Sequence, residues 1–69
     1  MVKEHDVVAL TEDRAADGLH RGDVGAVVHC YRAAEVYEVE FIDEHGRVKG
    51  LASIPGHQLI RLNLLSLTA

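Results

Sequence analysis

Apolar residues in this chain come in short runs separated by glycines, aspartates and charged clusters, and no run keeps a helical period. The clearest run is Val36-Tyr37-Glu38-Val39-Glu40-Phe41-Ile42. Its alternation predicts a strand that sends Tyr37, Val39 and Phe41 inward and Glu38 and Glu40 to solvent. Asp43-Glu44-His45-Gly46 follows as a tight hairpin with Gly46 suited to a positive φ, and Arg47 to Ile54 returns as an antiparallel strand.

Upstream, Asp6 to Leu10 is β-branched enough for a first strand, and the polar stretch from Thr11 to Gly22 reads as a long loop punctuated by Gly18 and Gly22. The next run, Asp23 to Tyr31, predicts a strand with Val24, Ala26, Val28 and Cys30 on one face and Gly25, Val27, His29 and Tyr31 on the other. Both faces are largely apolar, as in a strand that bends sharply, and Gly25 inside it predicts a bulge, a corner or a close backbone approach. Pro55-Gly56-His57-Gln58 makes a turn before a short last strand, Leu59 to Leu62.

The count of five strands predicts an all-β domain, a five-stranded SH3-like barrel over residues 1–62, with a short turn or 3₁₀ helix before the last strand. Residues 63–69 form an apolar tail beyond it, which reads either as a frayed terminus or as a docking segment. Leu64, Leu65 and Leu67 in that tail are candidate contacts to a neighbouring subunit, because adjacent exposed leucines make an apolar patch.

Length sharpens this picture. A chain of 69 residues is one domain with a thin core, and domains of this size commonly draw extra stability from disulfides, metals or association. The single Cys30 excludes an internal disulfide, so the expectation is a homo-oligomer. One cysteine and a polar N-terminus predict a reducing, cytoplasmic setting, and no apolar run approaches the roughly 20 residues of a membrane helix. The net charge of −4, with only seven Lys and Arg, argues against binding to phosphate backbones.

Three strings carry a family resemblance: His5-Asp6-Val7-Val8-Ala9-Leu10, Gly18-Leu19 followed by Gly22-Asp23-Val24-Gly25-Ala26-Val27-Val28-His29, and Tyr37-Glu38-Val39-Glu40-Phe41. Together they resemble a bacterial family catalogued as domain of unknown function 4926, which implies no settled activity. The Gly-Asp-Val-Gly-Ala-Val-Val string is also similar to the KOW element of some ribosomal and transcription proteins. That likeness implies a nucleic-acid contact, for which the candidates are Arg14, Arg21, Arg32 and His20. Asp23 beside them departs from the basic surroundings such a contact needs.

Candidate chemistry changes little. His5, His20, His29, His45 and His57 show no His-x₃-His spacing, and His29 and Cys30 are neighbours that a regular strand would point apart. A link from His29 to Glu38 or Glu40 across paired strands depends on register. Glu35, Glu38, Glu40, Asp43 and Glu44 concentrate acid in ten positions, whereas Arg47, Lys49 and Arg61 follow with no acid after them, so Glu38 or Glu40 is expected to pair with Arg47 or Lys49. Cys30 has no cationic neighbour to activate it and reads as a small buried hydrophobe. No catalytic, cofactor or metal motif is found. The expectation is a non-enzymatic interaction module that self-associates or docks on a protein partner, with Arg21 in the first loop, Tyr31, the Glu38 and Glu40 face and the leucine tail as its contact residues.

Overall fold

A computed structural model describes residues 2–63. Five strands, β1 (Val7–Leu10), β2 (Val24–Tyr31), β3 (Val36–Ile42), β4 (Val48–Pro55) and β5 (Leu59–Arg61), form one antiparallel sheet in the order β4-β3-β2-β1-β5. A 3₁₀ turn, Gly56–Gln58, stands before β5 as expected. Among the described residues β4 and β5 are not hydrogen-bonded to each other, so the sheet stays open between its two edge strands instead of closing into a barrel. No described helix is long and apolar enough to cross a membrane.

The core lies on one face of this sheet and consists of Val8, Leu10, Leu19, Val27, Val39, Phe41, Ile54 and Leu59, with Tyr37, Cys30, Ala52 and Val2 packed against it. Phe41 is opposite Gly25 on one side and Gly50 on the other. The largest fully buried side chain thus stands between two residues that have none. The approach at Gly25 is close: a Cβ there would lie 2.5 Å from the Glu40 carbonyl oxygen and 2.8 Å from Cγ1 of Val39. Of the three readings of Gly25, close backbone approach is the one realised.

The face assignment along β2 needs correction. Gly25 and Val27 are buried, but the pairing with β3 shifts between Val27 and His29, which leaves Val28 as an extra residue. Such a bulge reverses the alternation. Beyond it Cys30 turns toward the core and His29 and Tyr31 are exposed, so Cys30 does not share the face of Val24 and Ala26, nor His29 and Tyr31 that of Gly25 and Val27. Cys30 is half-buried rather than enclosed. A second shift lies between Phe41 and Ile42, where Val48 opposes Ile42 and Gly50 opposes Phe41, leaving Lys49 extra.

The long first loop is itself folded. Arg14 and Leu19 exchange backbone hydrogen bonds of 2.9 and 3.1 Å around a 3₁₀ turn, Ala15–Asp17, which Gly18 ends at φ 70°. Leu19 is buried in the core, and the Arg14 Nη1–H donates to Oε1 of Gln58 at 2.8 Å, tying the loop to the turn before β5. Gly46 takes the positive φ expected of it, 78°.

Gly25→Ala is expected to destabilise the protein by about 1–3 kcal/mol, the usual cost of forcing atoms into a filled interior. Urea unfolding should show a lower midpoint with an unchanged slope. A midpoint equal to that of the parent protein would refute the close-approach reading.

Candidate functional site: the outer sheet face

Residues directly opposite one another in an antiparallel sheet point to the same side, so the register assigns the outward face. One outward row crosses all five strands: Ile60 is opposite Ala9, Ala9 opposite Val24, Val24 opposite Ile42 and Ile42 opposite Val48. Every member is apolar, and Ile60, Ile42 and Val48 are exposed, Val48 by 62%. In the next row Val7, Ala26, Glu40 and Leu51 are successive partners, with Leu51 exposed by 60%. The outer face is therefore a half-apolar surface on which Glu38 and Glu40 are the acids of β3.

The candidate contact residues distribute unevenly over it. Glu38 faces His29 on β2 and Ser53 on β4, and the Ser53 hydroxyl donates to its Oε1 at 2.6 Å. Tyr31 is exposed at the end of β2, its ring edge-on to the His29 ring at 4.6 Å. Tyr31, Glu38 and Glu40 thus share the outer face. Arg21 does not join them: it is exposed in the first loop at the opposite end of β2, where its backbone N–H donates to Asp13 at 2.8 Å. Leu64, Leu65 and Leu67 lie outside the described residues.

The expected pairing of Glu38 or Glu40 with Arg47 or Lys49 is not formed. Glu38 takes the serine hydroxyl, and Glu40 makes no side-chain hydrogen bond or ion pair among the described residues. Lys49, the bulged residue of β4, reaches past the end of β3 to Asp23, with Nζ 2.9 Å from Oδ2. The same oxygen accepts the backbone N–H of His20 at 2.9 Å. That amide first, and Lys49 second, hold the Asp23 carboxyl below its usual value of 3.8. Asp23 is mostly covered, its side chain 18% exposed. With Val24, Ile42, Asp43, Glu44 and Lys49 it lines an open depression of about 410 Å³ at this end of the sheet.

The histidine link hinted at by sequence is partly there. His29 is opposite Glu38, but its Nδ1 lies 3.7 Å from Oε2 of Glu4, an exposed pair of small energetic weight. Among the described residues no three His, Cys, Asp or Glu side chains converge as a metal site would require. A second depression, of about 560 Å³, is lined by Val2, Lys3, Cys30, Arg32, Glu35 and Tyr37 at the other end of β2.

Residues 4–61 match the family described as Domain of unknown function (DUF4926). The chain belongs to this family. The matched span contains all five strands of the sheet, whereas residues 62–69 fall outside it. No curated protein matches the chain, and no solved structure does.

Because the Asp23 pKa is lowered in the folded state, the stabilisation it brings is present above about pH 4 and is lost as pH falls through the folded value. Asp23→Asn removes that contribution. Acidification from about pH 5 to about pH 2 should therefore lower the urea midpoint less in this variant than in the parent, and equal acid sensitivity would contradict the assignment.

Proposed function

We propose that this DUF4926 domain is a non-enzymatic protein-interaction module that self-associates through the outer face of its sheet. The observation that carries the reading is the five-strand apolar row from Ile60 to Val48, three of whose members are exposed. Contiguous exposed apolar patches on small proteins mark surfaces that meet other proteins. Covering such a row also supplies what a thin eight-residue core lacks, since domains of this size gain stability from association.

Tyr31, Glu38 and Glu40 rim the patch and orient the contact. Arg21, at the far end of β2, serves a separate contact of the first loop with a protein partner. The net charge of −4 and the diversion of Lys49 into an ion pair with Asp23 disfavour a nucleic-acid partner, whose affinity would rest on free clustered cations.

Sedimentation equilibrium from micromolar to millimolar protein tests the reading. The expected result is a reversible oligomer in the parent protein and a shift toward monomer in Ile42→Lys, which places a charge in the middle of the row at a 40% exposed position, with an unchanged circular dichroism spectrum as the check that the fold is kept. Monomer alone across the whole range would overturn self-association.

A further inference from the structure

The two edges of the sheet differ in how open they are to another strand. β5 has three residues, whereas β4 has eight, and among the described residues nothing pairs with its outer edge. Proteins usually guard such an edge with a charge, a proline or a bulge. On β4 these guards sit at the ends: Lys49 is the bulged residue and is engaged with Asp23, and Pro55 closes the strand. Between them Gly50-Leu51-Ala52-Ser53-Ile54 is uncharged, regular in its pairing with β3, and open along its far side.

We propose that this window pairs antiparallel with the same window of a second copy about a two-fold axis at Ala52. The proposal rests on the reading that the chain self-associates, and adds to the outer-face contact a second one along the free edge of β4. The axis follows from two constraints. Opposed residues must point to the same side of the sheet, so a two-fold axis between antiparallel copies of one strand falls on a residue rather than between residues. Of the axes this allows, only Ala52 uses the whole window.

The window is then complementary to itself. Gly50 is opposite Ile54 of the second copy on the core side, Leu51 opposite its Ser53 on the outer side, and Ala52 opposite Ala52. Each large side chain meets a small one. A Cβ at Gly50 would meet nothing within 4 Å, so the backbone of a second copy can approach there, while Ile54 stays buried in its own core. No charge meets its like across the seam. The exposed Leu51 of each copy is covered, and the apolar outer face continues into a ten-stranded sheet. A foreign strand would need this same spacing of small and large residues, which the chain itself already carries.

Disulfide trapping reads the register directly, because directly opposed Cα atoms lie about 4.5–5.5 Å apart, within the range a disulfide spans. In a Cys30→Ala background, Leu51→Cys and Ser53→Cys chains are oxidised separately and as a mixture, with Glu12→Cys in the exposed first loop, off the sheet, as a control. Sedimentation of each reduced variant reports whether it still associates. The expected result is a cross-linked dimer in the mixture and none from either variant alone or from the control. Cross-linking of Leu51→Cys alone would overturn the Ala52 axis. Association without a cross-link in any sample would overturn the β4 seam and leave self-association standing. Monomer in every reduced sample and in the parent would overturn both.

Discussion

The approach of β3 to β2 at Gly25 is the constraint on which the rest of the structure depends. The Glu40 carbonyl oxygen lies 2.5 Å from where a Cβ of Gly25 would stand, a distance that no side chain at this position accommodates. Gly25 and Gly50 flank Phe41, so the one phenylalanine of the chain stands between two positions that carry no side chain. Val8, Leu10, Leu19, Val27, Val39, Ile54 and Leu59 complete the core of the described residues, in which Phe41 is the largest fully buried side chain.

Two bulges convert this core into a surface with a definite pattern. The extra residue at Val28 turns the end of β2 so that Cys30 meets the core and His29 and Tyr31 meet solvent. At the other end of the sheet the extra residue is Lys49, which the bulge releases from the ladder and aims at Asp23. Removing the lysine from the β4 edge leaves an uncharged run behind it. The ion pair that secures the entry to β2 and the unguarded edge are therefore consequences of one local irregularity.

Much of the architecture was legible in the sequence, and the reasons are physical. The alternation from Val36 to Ile42 has the period of a strand and of nothing else, and Gly46 and the Pro55–Gln58 turn mark their own bends. Gly25 was recognisable as a bulge, a corner or a close approach, because a glycine within an apolar run has few other uses, and only the structure shows that it is the close approach. The bulges were not legible, since one extra residue in a strand leaves no compositional mark, and two departures from the sequence reading follow from them: the face assignment of β2 and the partner of Lys49. Leu19 was missed for a different reason. It is a single leucine in a polar loop, and only the Arg14–Leu19 pairing shows that it points into the core. For the candidate site, the acids and Tyr31 were visible as residue types, but the apolar row is a property of register across five strands, which no local pattern encodes.

Native-state hydrogen exchange tests the central role of the Gly25 approach most directly. If the packing of β2 against β3 holds the domain together, the amides of Val27, Val39 and Phe41 are the slowest to exchange and open only with global unfolding, while those of Ile60 and Arg61 in β5 exchange through smaller openings. Amides around Gly25 that exchange as fast as those of β5 would contradict the account.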